Sequence, residues 1–190
     1  MPKHKLAIVV GSNRRESINR KLAEALATLG ADAFEANFVK IDDLPMYNQD
    51  NEQPVPAPVA RFKKEIEAAD AVLFVTPEHS RSMPAVLKNA IDWGSRPWGK
   101  SSWPGKPAAI IGTSGGVIST AVVQQHLRAI LGNLGLHVIG GEAYIRFNPE
   151  LIDAAGKVTD ETVRGFLKTF IDNFAAFAGR FAADRKQAAA

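Results

Sequence analysis

The feature that most constrains the fold is an alternation. Short, nearly unbroken runs of Val, Ile, Leu and Ala are each followed by a longer amphipathic stretch. Residues 5–10, 71–76, 107–114 and 136–141 read as such strands, and 34–41, where polar and apolar residues alternate, as a further one. Residues 18–30, 58–70, 83–94, 119–135 and 159–181 read as helices, with Gly30 ending the first, Pro84 in the first turn of the third and Thr159 capping the last. Strands that keep no polar alternation are covered on both faces. Five strand–helix pairs in succession therefore predict an α/β, three-layer sandwich: a five-stranded parallel, doubly wound sheet with helices on both faces. Phe166, Phe170, Phe174, Phe177 and Phe181 recur at helical spacing in the last helix and read as a core-facing stripe.

A chain of 190 residues fits one domain with a sizeable core. We expect that domain to span 1–182, with 183–190 a disordered tail. The Pro-rich stretch 48–59 reads as a surface loop, because neither side of it could form a core alone. The absence of cysteine excludes disulfides, thiolate zinc sites and iron–sulfur clusters. No apolar run reaches membrane-spanning length, and no export signal precedes the first strand, so a cytoplasmic protein without a membrane partner is expected. The net charge of +3 suits an anionic small ligand or nucleic acid equally and decides little.

Two pattern matches fail on context. Residues 94–101 satisfy G-x-x-x-x-G-K-S letter for letter, but a helix precedes them and a strand follows, the reverse of a phosphate loop. Residues 112–116 satisfy G-x-S-x-G between a strand and a helix. No Asp or Glu separates Ser114 from His137, however, so the acid-then-histidine order of a hydrolase triad cannot be completed. The four histidines, at 4, 79, 126 and 137, never fall at metal-ligand spacing. Trp93, Trp98 and Trp103 admit two readings, a subunit interface or a local cluster.

In a doubly wound sheet of order 2-1-3-4-5, ligands bind beyond the carboxyl ends of strands one, three and four. The loops leaving those strands, "GSNRRESIN", "TPEHSRSMP" and "TSGGVIS", are rich in Gly, Ser, Thr and Pro. The first offers Ser12, Ser17 and Asn19 as neutral donors, Arg14 as a fixed cation and the amide end of a helix, the parts of a phosphomonoester site. From that loop alone a second reading stands equally: a helix start capped by Ser17 with its arginines solvated. The convergence of three such loops favours the ligand.

These same segments, with "PEHSRSMPAVLKNAIDW" extending the second, resemble the motifs of the NADPH-dependent FMN reductase family, in its bacterial branch of quinone and chromate reductases. The resemblance runs over about residues 5–180. It implies a flavodoxin-like fold, bound FMN, NADPH or NADH as co-substrate, and homodimers or homotetramers. Carried over by position, Ser12, Arg14, Ser17, Ile18 and Asn19 would hold the FMN phosphate and its approach. Pro77, Glu78, His79 and Ser80 would run along the flavin edge, and Ser114, Gly115 and Gly116 would form the opposite wall. His79 and Ser80 stand where the family usually has Tyr and Asn, and Arg81 stands at a position often aromatic; His79 and Arg81 would face the substrate. The implied activity is NAD(P)H-dependent reduction of quinones, chromate or similar electrophiles through bound FMN, which carries the chemistry so that no catalytic side chain is needed. A flavodoxin-type electron carrier or a regulatory flavin-binding module is the alternative. The sequence pI near 9.2 opposes the carrier, since such carriers are acidic.

Overall fold

The structure, a computed structural model, describes the backbone of residues 3–188 and the side chains of residues 3–181. Its elements in chain order are β1 (His4–Val10), α1 (Ile18–Leu29), β2 (Phe34–Val39), α2 (Ala57–Ala68), β3 (Ala71–Val75), α3 (Ala85–Ser95), β4 (Pro107–Ser114), α4 (Ala121–Asn133), β5 (His137–Val138), β6 (Tyr144–Arg146) and α5 (Glu161–Ala188). The parallel sheet runs β2-β1-β3-β4-β5, as the alternation predicts. Registers such as Leu6↔Ala71 and Val72↔Ala108 bring the carboxyl ends of β1, β3 and β4 to one edge.

Both faces of the sheet are covered, which is why its central strands lack alternation. Leu6, Ile8, Leu73, Val75 and Ile111 pack with Leu22 and Leu26 of α1 and with Leu167, Ile171 and Phe174 of α5. Ala7, Val9, Val72, Phe74 and Ile110 pack on the other side with Phe62 and Ile66 of α2, Leu87 and Ile91 of α3, and Val123 and Leu127 of α4. Each of the Val, Leu, Ile and Phe side chains among these contributes about 1.5–3 kcal/mol by leaving water. Most of the phenylalanine stripe belongs to this core, with Phe174 fully buried; Phe166 is the exception, at 43% exposure.

Two expectations need correction, and the tryptophans and the last helix add detail. The fifth strand is split: β5 pairs with Pro107 and Ala108, while β6 pairs with Gly112–Ser114. The intervening Gly141 has φ of +92, incompatible with a continuing strand, and Arg128 donates to the carbonyls of Ile139 and Gly141 across the break. Asp160, not Thr159, caps α5, its Oδ1 accepting from Thr162 N at 2.8 Å and Val163 N at 3.0 Å. Thr159 Oγ1 instead donates to the Glu150 carbonyl at 2.6 Å. The tryptophans divide: Trp93 and Trp103 are buried, donating to the Pro45 and Ile91 carbonyls, whereas Trp98 is 87% exposed. As for the tail, α5 continues through Ala188, beyond the expected boundary at 182, while the side chains past Phe181 and all of residues 189–190 lie outside the described residues.

Gly94 shows how closely the core is filled. A Cβ there would lie 2.4 Å from the fully buried Trp103 ring. Gly94→Ala is expected to destabilise the protein by about 1–3 kcal/mol despite improving helix propensity, because overpacking outweighs that gain. Urea unfolding of the variant checks this.

Candidate functional site

The three loops predicted to converge do so, held by specific contacts. Gly11 permits the close approach of β1 to β3: a Cβ there would lie 2.7 Å from Thr76 Oγ1. Asn19 is buried at the start of α1. Its Nδ2 donates to the Thr113 carbonyl at 3.0 Å and its Oδ1 accepts from Thr113 N at 2.9 Å, clasping the first loop to the end of β4. Its amide thus serves as a clasp, not as a free ligand donor.

The first loop is a cradle of donors. Ser17 caps α1, its Oγ accepting from Arg20 N at 3.2 Å, so the capped-start reading of this residue is correct. Capping uses only one donor. Among the described residues, the N–H groups of Asn13, Arg15, Glu16, Ser17 and Ile18 bond to no protein acceptor. The exposed Arg14 side chain has no partner either, and Ser12 Oγ bonds only Arg14 N, at 3.4 Å. Unpaired amides at a helix start beside a guanidinium are the donor set that an anion would require.

The second loop is a tight turn. His79 and Ser82 exchange backbone hydrogen bonds, both 2.9 Å. Between them Ser80 and Arg81 have φ of +49 and +62, a conformation that costs non-glycine residues about 1–3 kcal/mol each. Glu78 holds the turn in place. Its Oε2 accepts from Val122 N at 2.9 Å and Val123 N at 3.2 Å, capping α4 from a distant loop, and its Oε1 accepts from Arg81 at 2.8 Å. The Glu78 side chain is 6% exposed, so its carboxylate serves protein structure while Arg81, 69% exposed, keeps further donors at the rim. His79 and Ser80 are exposed, with Pro77 half-buried beneath them.

Burial pushes the Glu78 carboxyl up, but Arg81 and the Val123 and Val122 amides together prevail, leaving its pKa below the ordinary 4.5. A folded value below the unfolded one means the anchor's contribution is present above pH 4.5 and is lost as pH falls through the folded value. The stability difference between wild type and Glu78→Gln should therefore shrink in acid, as thermal melts from neutral pH downward would show.

The third loop forms the facing wall. Ser114 Oγ accepts from Gly116 N at 3.1 Å and donates to the Ser119 carbonyl at 3.3 Å, closing the turn. His126, the one histidine between this serine and β5, bonds Ser82 Oγ at 3.2 Å instead, so among the described residues Ser114 has no histidine partner. Gly115 is exposed, and a Cβ on it would meet no atom within 4 Å. Protein packing therefore does not demand glycine here, and the backbone is left open to close approach from outside. The residues thus fit FMN: a phosphate cradle in the first loop, and a slot between the His79–Ser82 turn and the Gly115–Gly116 shelf.

The sequence reading missed the Asn19 clasp and the Glu78 cap. A polar residue on the apolar stripe of α1 was the available sign of the first; nothing local signals the second. The P-loop match lies where context put it, with Gly94 inside α3 and Lys100 in the loop after it. Among the described residues no group of His, Asp and Glu could hold a metal ion, and no helix is long and apolar enough to cross a membrane.

Comparison with known proteins agrees with this geometry. The chain is 50% identical over 174 residues to the 2-hydroxy-1,4-benzoquinone reductase of a Burkholderia species, covering 91% of this chain and 95% of that one. It is 47% identical to a quinone reductase of Pseudomonas putida, covering 92% and 94%. Among solved structures, the flavoenzyme NAD(P)H:(acceptor) oxidoreductase FerB of Paracoccus denitrificans superposes with a TM-score of 0.91 at 44% identity, covering 94% of this chain and 98% of that one. A flavodoxin from the domain Archaea, 13% identical with a TM-score of 0.63 and covering 92% of this chain and 99% of that one, shares the fold alone. The family model for NADPH-dependent FMN reductase matches residues 4–149, and with those relatives it establishes that the chain belongs to the NADPH-dependent FMN reductase family.

Proposed function

We propose that this protein is an FMN-dependent NAD(P)H oxidoreductase that reduces quinones and related small electrophiles, metal oxyanions such as chromate included, in ping-pong order. The observation that carries the reading is the unpaired amide cradle around Arg14, set opposite the open Gly115–Gly116 shelf. FMN, when bound, supplies the hydride relay between the nicotinamide donor and the acceptor. The chain's own residues bind and orient. Ser12, Arg14 and the amides to Ile18 would hold the phosphate; Ser114, Gly115 and Gly116 would form one wall of the slot and the turn from Pro77 to Ser80 the other. Arg81 places a fixed cation at the rim, suited to anionic partners. The names of the relatives support quinones as acceptors.

Steady-state oxidation of NADPH and NADH by the FMN-loaded protein, with a hydroxylated benzoquinone as acceptor, tests the proposal. Catalytic turnover with parallel double-reciprocal lines is expected. Flavin that is reduced once without turnover would return the carrier reading. Ser114→Ala should retain most of this activity, since its hydroxyl only closes a turn. A wild-type esterase activity abolished by that change would revive the hydrolase.

We also propose self-association as a dimer or tetramer. Trp98 and Val117 are 87% and 86% exposed, and Met46 is 73% exposed, more apolar surface at loop tips than a monomer needs. Light scattering of the purified protein decides it.

A further inference from the structure

Beside the cradle, a cleft of about 380 Å³ opens between the first loop and the end of β2. Ser12, Arg14, Arg20, Phe38, Lys40 and Asp42 are among its lining. Arg14 is shared with the cradle; Arg20 and Lys40 are not. The Arg20 guanidinium lies 4.0 Å over the Phe38 ring. Its Nε donates to Glu24 at 2.7 Å, which leaves its terminal nitrogens unpartnered among the described residues. The nearest carboxylates to Lys40 Nζ, on Asp43 and Asp42, stand 3.9 and 4.0 Å away, beyond hydrogen-bond length.

The cleft therefore combines cationic nitrogens that have carboxylates nearby but no hydrogen-bonded partner among the described residues, Lys40 Nζ and the Arg20 terminal pair, with a guanidinium–aromatic stack. The donors suit a phosphomonoester, which carries about two negative charges at neutral pH. The stack offers a flat surface to a base. At about 4.8 Å per strand, the β1–β2 edge lies roughly 10 Å from the β3–β4 slot, a span that a dinucleotide can bridge. We propose that this cleft binds the adenosine 2′-phosphate of NADPH, through Lys40 and Arg20, and so selects NADPH over NADH. The inference rests on the function proposed above, and it names the determinant of donor choice in the same site. Asp42 is the one carboxylate among the lining residues. With Glu24 on Arg20 and Asp43 shared between Lys40 and Arg61, the local charge is close to balanced, so the selectivity rests on directed donors and not on a net positive field.

Calorimetry on the FMN-loaded protein, with adenosine 2′,5′-bisphosphate and 5′-AMP as probes, reads the cleft independently of turnover. The bisphosphate should bind about tenfold more tightly than 5′-AMP, and Lys40→Ala or Arg20→Gln should each remove about that factor. In steady-state assays the same variants should raise KM for NADPH about tenfold relative to KM for NADH. Lys168→Ala, which removes an equal charge from α5, should do neither. Equal binding of the two nucleotides, or KM values for both donors moving together, would overturn the assignment. So would loss of FMN from the Lys40 and Arg20 variants, which would give the cleft to the flavin phosphate instead. Failure of turnover with selective bisphosphate binding intact would sink the oxidoreductase reading and leave the cleft assignment standing.

Discussion

Replacing Arg14 with Ala should weaken FMN binding by roughly 10- to 150-fold while leaving the fold untouched. Arg14 is exposed and its side chain makes no bond among the described residues, so little is lost from the apo state when it goes. In the proposed complex its guanidinium would meet the phosphate, and a charge-assisted hydrogen bond contributes about 1.5–3 kcal/mol. The amides of residues 13 to 18 remain in the variant, so binding should weaken and not vanish. Fluorescence titration of FMN into both apoproteins measures the ratio, and the thermal midpoints of the apoproteins should agree within a degree or two. Equal dissociation constants would place the phosphate elsewhere.

Asn19→Ala should have the larger effect on stability, about 2–5 kcal/mol. The clasp satisfies both the N–H and the carbonyl of Thr113, which is itself 2% exposed, and removing it strands two buried backbone groups at about 1–3 kcal/mol each. At this chain length the thermal midpoint should fall by roughly 5–15 °C. Asn19→Asp should also be damaging, because an acceptor oxygen would then face the Thr113 carbonyl. FMN affinity should drop in both variants, although Asn19 need not touch the ligand, because the first loop would lose its tie to the shelf. Melts with and without FMN separate the two effects: the apoprotein should already be destabilised.

The sheet and its order were legible because they depend on burial, and burial writes itself into runs such as "LAIVV" and "AVLFV". The meeting of the three loops was legible for a related reason, since topology alone brings the ends of β1, β3 and β4 together. What the sequence could not show was the bonding between distant loops. Glu78 reads as one more loop carboxylate until β3 and α4 are side by side and its Oε2 meets Val122 N and Val123 N. Asn19 has the composition of a ligand donor, and only the fold reveals that Thr113 takes both of its polar atoms. The split of the fifth strand was marked by Gly140–Gly141, but the pairing of β6 farther along β4 carries almost no local pattern over three residues. Thr159 and Asp160 are both good caps by type; their competition is settled by Thr159 reaching back to the Glu150 carbonyl.

The central claim is that the three carboxyl-end loops hold an FMN that a nicotinamide donor reduces. Titrating FMN into the apoprotein, then adding NADPH anaerobically while recording the flavin spectrum, tests it most directly. The account expects one FMN bound per chain, full bleaching of the flavin band on NADPH addition, and its return when a quinone is admitted. A protein that binds no FMN, or whose bound flavin keeps its oxidised spectrum with both NADPH and NADH in excess, would contradict it.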